Sequence, residues 1–276
     1  MSIHRRHLLT GLSGLSLAAL SLTPFPVGAA MIRQPYQKIG LQLYTVREAF
    51  AADPVATLQK VRALGYDYVE ATSFGGLAPA ALKAKLAEIG LAAPSMHVGL
   101  ADWQTRTEAA LDEVAALGAD YAVLAWLPPE ARKDWKLLAE KMNGWAAKAR
   151  SHGLKFAYHN HDFEFTKTAE GELPFHLLLE NTDPALVGFE LDCYWASFAG
   201  HDPLHVLSEH GDRIRMLHLK DKLADGAMAP VGEGVIDYAA VLAKANELDI
   251  KYGFVEHDNP ADPWASIATS IKNLKG

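Results

Sequence analysis

The chain has 276 residues, 50% of them hydrophobic, with 26 lysines and arginines against 33 aspartates and glutamates. That is enough apolar material to fill the core of one large domain, and the net charge of −7 argues against nucleic acid and anionic membrane as partners. Cys193 is the only cysteine, so no disulfide can close within the chain.

The first thirty residues read as an export signal. HRRHLLT (4–10) carries a twin arginine, Leu8 to Leu22 form a Gly/Ser-diluted apolar run, and Val27 to Ala30 offer small residues for cleavage. The run falls short of the ~20 apolar residues a bilayer span needs, which favours a cleaved signal over an uncleaved anchor. The expectation is a signal at 1–30 and a soluble domain at 31–276, free of the membrane in the periplasm. Resemblance to twin-arginine signals implies export of an already folded, often cofactor-loaded protein.

From residue 38 onward short β-rich runs alternate with longer helical ones, with no linker or charge block between them. A strand at 38–44 (KIGLQLY) precedes a helix at 53–65, and a second at 66–71 (YDYVEA) precedes one at 78–90. The third strand, 91–98 (LAAPSMHV), leads to a helix at 105–119, and the fourth, 120–126 (DYAVLAW), to one at 134–153. Strands five and six, 154–160 (LKFAYHN) and 186–192 (LVGFELD), are followed by helices at 173–180 and 203–210. Strands seven and eight, 213–221 (RIRMLHLKD) and 252–258 (YGFVEHD), are followed by helices at 237–248 and 263–274. Several helices open on Asp, Pro or Thr and close on Gly, as caps require. Eight such units predict a single α/β domain, a (β/α)8 TIM barrel, with a doubly wound open sheet as the alternative.

Alternate residues of a barrel strand face the lumen, so parity assigns side chains once the apolar, helix-facing set is recognised. By this test His159 and His161 on strand five, Glu190 and Asp192 on strand six, His218 and Lys220 on strand seven, and Glu256 on strand eight point inward near the strand ends, where barrel enzymes carry their chemistry. His159, Asp192, His218 and Glu256 form a nitrogen and oxygen ligand set for one divalent cation, Mn, Mg, Co, Fe or Zn. Earlier strands add Gln42, Tyr44, Glu70, His97 and Trp126 as substrate contacts. Trp126 and Trp195 suit stacking on a sugar face or plain rim packing. Lys220 is a candidate catalytic or substrate-binding cation, or else a salt-bridge partner of Glu190. VGEGVID (231–237) lacks the spacing of a phosphate loop and reads as a loop whose Glu233 reaches the site.

FELD (189–192), HLKD (218–221), GEGVIDY (232–238) and FVEHD (254–258), in that order, resemble the xylose isomerase-like TIM-barrel superfamily of sugar isomerases and epimerases. The resemblance runs from about residue 38 to 274. It implies one divalent metal held by Glu, Asp, His and Glu at the ends of strands five to eight. Asp192, His218 and Glu256 take three of those positions, and His159 stands where the first Glu is usual. In the epimerases the two glutamates also act as the acid/base pair, a role implied here for Glu256. With the other glutamate replaced, His161 or Glu164 is the expected second proton-transfer group.

The expected reaction is metal-assisted removal of a proton α to a carbonyl of a keto-sugar, giving an enediolate. Reprotonation makes the protein an isomerase or epimerase; expulsion of a β-leaving group makes it a 3-keto-glycoside lyase or dehydratase, which needs an oxidoreductase to supply the keto-substrate. A free sugar or glycoside is the expected partner, with a homo-oligomer left open. The alternative of another class is a non-catalytic periplasmic sugar-binding protein.

Overall fold

The computed structural model describes residues 38–276, so the expected export signal lies outside the described residues. Eight parallel strands close in chain order: Gly40–Gln42, Tyr68–Ala71, Ser95–Val98, Tyr121–Leu124, Lys155–His159, Val187–Asp192, Ile214–Leu219 and Tyr252–Val255. The first pairs with the eighth, Gly40 opposite Phe254, and this closure excludes the open sheet. No helix among the described residues is long and apolar enough to cross a membrane.

Helix starts follow the expected capping chemistry. Asp53, Asp134, Asp237 and Asp262 accept backbone N–H groups two or three residues ahead, and Pro54, Pro79, Pro174, Pro203 and Pro263 open their helices. The helix-facing strand residues, such as Leu41, Val69, Phe156, Phe189 and Leu217, join one continuous core with the helices. A second, smaller cluster fills the lumen: Tyr121, Val123, Ala157, Met216 and Phe254, with Tyr68 and Tyr252 packed against it. Gly40 makes room for this plug, because a Cβ there would lie 2.3 Å from the Phe254 ring. The lumen is therefore sealed below the polar layer, and the site opens only through the C-terminal strand ends.

Several elements depart from the sequence reading. The first strand stops at Gln42, whose side chain accepts the Tyr44 N–H at 3.2 Å and turns the chain into a 3-10 helix, Leu43–Val46. Tyr44 thus reaches the barrel mouth from a turn. Parity on strand four is the reverse of that used for Trp126: Tyr121 and Val123 face the lumen, Ala122 and Leu124 the helices. Trp126 arrives at the mouth because the strand ends at Leu124 and frees it. Short helices at Arg47–Ala52, Leu100–Thr105 and Cys193–Phe198, and a hairpin pairing Asp221–Lys222 with Met228–Ala229, lie in segments read as loop or strand end.

Candidate active site

A cavity of about 560 Å3 opens at the C-terminal ends of the strands. His97, His159, Lys220 and Glu256 form its wall; Tyr44, Trp126, His161 and Trp195 form its rim. Asp258 and Arg132, which the sequence reading did not assign a role, also line it.

Beneath the cavity lies a polar layer closed to solvent. Gln42, Glu70, Glu190, Asp192 and His218 are all 0% exposed, which separates Gln42 and Glu70 from the expected substrate contacts. Glu70 accepts from Gln42 Nε2 at 2.6 Å and from Ser95 Oγ at 2.5 Å, and its Oε2 lies 2.6 Å from His218 Nε2. Glu190 Oε2 lies 2.9 Å from His97 Nε2 and 3.2 Å from His218 Nε2. The other nitrogen of His218 faces Glu256 Oε2 at 2.8 Å. Carboxylates on both sides favour the imidazolium form of this ring whenever no metal takes one of its nitrogens.

The charges follow from that geometry. Burial opposes a proton on His97, yet Glu70 and Glu190 raise it to about 9; His218, also buried, is raised well above the ordinary range by Glu190 and Glu70. Burial would raise Glu190, but Glu70 notwithstanding, His218 and His159 bring it down to about 2. His159 behaves oppositely: burial and then the neighbouring His218 keep it neutral. Its Nδ1 lies 3.4 Å from Glu190 Oε2 without an aligned hydrogen bond, and both that nitrogen and Glu190 Oε1 are buried without a partner.

Lys220 sits in a separate acidic ring on the cavity wall. Its Nζ lies 3.1 Å from Asp192 Oδ2, 2.8 Å from Glu256 Oε2 and 2.8 Å from Asp258 Oδ1. Glu190, the partner considered from the sequence, turns instead to the histidines. Burial raises Asp192 to about 6 even with Lys220 beside it, whereas Glu256, equally buried, is brought below the carboxylate range by Lys220 and His218.

His161 lies over this wall, its ring parallel to Phe163 and 5.6 Å from Trp195. Burial and then Lys220 lower it to about 3, and its buried Nδ1 has no partner. Glu164 does not join it. The turn Phe163–Phe165 curls that carboxylate back behind strand five, where the Tyr158 hydroxyl and the His161 N–H donate to it, the latter at 2.7 Å. Glu233 is exposed and away from the cavity lining, because Asp221 accepts the N–H groups of Gly232, Gly234 and Ile236 and gathers the loop onto itself.

The residues present fit a divalent ion. Among the described residues two groups each bring their donor atoms within 4.8 Å of one another: His97, His159, Glu190 and His218 in one, and Asp192, His218 and Glu256 in the other. The unpartnered His159 Nδ1 and Glu190 Oε1 are lone pairs that such an ion would satisfy. Glu190 is the ligand-type residue the sequence reading placed inward only as a salt-bridge partner for Lys220; its shared parity with Asp192 in FELD was the available signal.

A model of the xylose isomerase-like TIM barrel matches residues 58–275. The chain belongs to that family. Within it, the inosose dehydratase of Geobacillus kaustophilus is 26% identical over 286 residues, covering 88% of this chain and 90% of the relative. The inosose dehydratase of Salmonella typhimurium is 34% identical over 143 residues, 45% of this chain and 46% of that protein. A sugar phosphate isomerase/epimerase structure from Parabacteroides distasonis superposes with a TM-score of 0.77 at 26% identity, covering 87% of this chain and 98% of that one. An L-ribulose 3-epimerase structure, TM-score 0.67 at 15% identity over 86% of this chain and 94% of that one, shares the fold. This family member is a sugar-modifying enzyme.

Proposed function

We propose that the protein eliminates a β-leaving group from a keto-sugar or keto-cyclitol, and that it does so in the periplasm after twin-arginine export. The observation that carries this reading is His161, a neutral imidazole lining the cavity with its Nδ1 unpartnered, set against a wall where Lys220 and Glu256 are already paired. One such imidazole serves an elimination by itself. It accepts the proton from the carbon α to the carbonyl; the C–H electron pair forms the enediolate, and its collapse expels the β-oxygen substituent. The imidazolium then returns the proton to the departing oxygen, leaving an α,β-unsaturated ketone and a neutral alcohol or water. Lys220 faces the cavity as a fixed cation and orients the substrate's oxygens, while Trp126 and Trp195 border the ring face. A divalent ion held by the His and carboxylate layer would supply positive charge for the developing enediolate oxygen. The curated relatives named inosose dehydratase support elimination, a loss of water from a keto-cyclitol.

Isomerisation or epimerisation is the second reading, favoured by the 26% identical isomerase/epimerase structure. It requires reprotonation of the same intermediate by a second group on the opposite face. Proton NMR in D2O with 3-keto-glucosides and an inosose, with and without chelator, tests both. Loss of the α-proton signal with release of water or aglycone and the appearance of an unsaturated ketone supports elimination. Deuterium beside the carbonyl with an intact skeleton supports the second reading, and tight sugar binding with neither outcome would return the protein to the binding class. His161→Gln should abolish proton abstraction while leaving the fold intact.

A further inference from the structure

Tyr44, Asp258 and Asn259 line the cavity and share a neighbour that does not, Arg47. Its Nη1 donates to the Tyr44 carbonyl at 2.8 Å and to the Asp258 carbonyl at 2.9 Å, and its Nη2 donates to Asn259 Oδ1 at 3.0 Å. The guanidinium also lies 4.2 Å from the centre of the Tyr44 ring. A planar guanidinium presents its donors in a rigid fork, so one side chain sets the position of all these partners together.

The place where this happens is the seam of the barrel. Strands one and eight pair at Gly40 with Phe254 and at Leu41 with Val255, and strand eight ends at Val255. Tyr44 and Asp258 lie beyond those pairs, so the ladder that closes the barrel does not fix them. Past its end, Thr45 Oγ1 accepts the His257 N–H at 2.9 Å, and the Arg47 fork ties the two chain exits to each other.

Asp258 carries that tie into the cavity wall. Its N–H donates to Met228 Sδ at 3.2 Å on the hairpin, and its carbonyl accepts from Arg47, so its backbone is held from both sides. The carboxylate so placed puts Oδ1 2.8 Å from Lys220 Nζ. Tyr44, 40% exposed at the rim, is steadied by the same guanidinium from behind the turn that carries it.

We propose that Arg47 is a positioning residue of this site: it fixes the Tyr44 ring at the mouth and, through the Asp258 backbone, the carboxylate that holds Lys220. The proposal rests on the reading above in which Lys220 orients the oxygens of the substrate. Arg47 stays outside the cavity and acts only through residues that face it.

The test reads Lys220 directly, in the full chain, by the side-chain ammonium signal in lysine-selective nitrogen NMR. At 2% exposure this ammonium is shielded from rapid exchange with water. Arg47→Ala should shift its signal and speed its proton exchange about tenfold, the effect of losing one charge-assisted hydrogen bond that holds the wall. In the same variant kcat/KM on methyl 3-keto-glucoside should fall about tenfold, as misplacement of an orienting group predicts. A lowered melting temperature with the Lys220 signal and its exchange unchanged would make Arg47 a tie of the seam alone and overturn the proposal. A wild type without turnover on that substrate would unseat the functional reading, and the Lys220 signal would still decide the role of Arg47. Should Arg47→Ala fail to fold, Arg47→Lys decides: it keeps the charge without the fork, and a Lys220 signal identical to wild type would overturn the proposal, whereas a shifted one supports it.

Discussion

Asn160 holds Asp192 by both polar groups of its backbone: its Oδ1 accepts the Asp192 N–H at 2.9 Å, and its Nδ2 donates to the Asp192 carbonyl at 3.4 Å. The clasp ties the end of strand five to the end of strand six where the wall of the cavity begins. Asp192 in turn accepts the Trp195 N–H at 2.8 Å and starts the helix Cys193–Phe198, so one buried amide sets the position of a carboxylate and a rim tryptophan together. Asn160→Ala leaves the Asp192 backbone unsatisfied in a site 1% exposed, which should cost about 2 kcal/mol of stability. Denaturant unfolding measures that loss. Turnover should fall on the order of tenfold, since the residue acts through placement.

The Lys220 cluster is a stronger test of the interior. Three carboxylates, Asp192, Glu256 and Asp258, converge on one ammonium, and two of them are nearly or fully closed to solvent. Lys220→Met strands those charges and should destabilise the fold by about 3–5 kcal/mol. Adding Glu256→Gln to that variant should recover part of the loss, because it removes one of the uncompensated charges. A double variant less stable than Lys220→Met would show that the ring is held by something other than charge.

Glu164 predicts a pH dependence outside the metal layer. Burial lifts its carboxyl from the ordinary 4.5 to about 8, although Tyr158 and the His161 N–H donate to it. The folded state therefore binds the proton more tightly than the unfolded one. Its contribution is fully present below pH 4.5 and is lost as the pH rises through about 8. Glu164→Gln removes this penalty, so the melting temperature of the variant relative to wild type should rise from pH 5 to about pH 8 and level off above it. A difference that stays flat across that range would mean the carboxyl titrates normally.

The barrel was legible because its strands have two unlike faces. Phe156 and Tyr158, Phe189 and Leu191, and Leu217 and Leu219 each recur at every second position of their own strand, and that alternation orients the residues between and after them, Glu190, Asp192 and His218, toward the lumen, as Val255 does for Glu256. It failed where the strand had already ended. Trp126 and Tyr44 lie beyond Leu124 and Gln42, on backbone whose direction is set by turns that parity does not describe. Local hydrogen bonding displaced two more residues. Tyr158 captures Glu164, and Asp221 gathers the Gly-rich loop so closely that a Cβ on Gly234 would lie 2.1 Å from its Oδ1, leaving Glu233 outside. Which acid pairs with Lys220 was equally hidden, because Glu190 and Asp192 share a face and differ only in depth.

Trp126 separates substrate recognition from chemistry. It is 48% exposed at the cavity mouth, with the Arg132 guanidinium 5.5 Å from its ring, and no residue of the buried polar layer depends on it. Arg132 is itself fixed, donating twice to the Leu127 carbonyl and lying 3.5 Å over Phe163, so truncating the tryptophan leaves its neighbours in place. An exposed aromatic face that contacts the sugar equally in the ground and transition states contributes uniform binding. Its loss should raise KM roughly tenfold with kcat nearly unchanged, equivalent to ~1.4 kcal/mol. Steady-state kinetics of Trp126→Ala on a keto-glucoside checks this. A fall in kcat at constant KM would place the ring in the transition state instead, and the rim would then belong to the reacting part of the site.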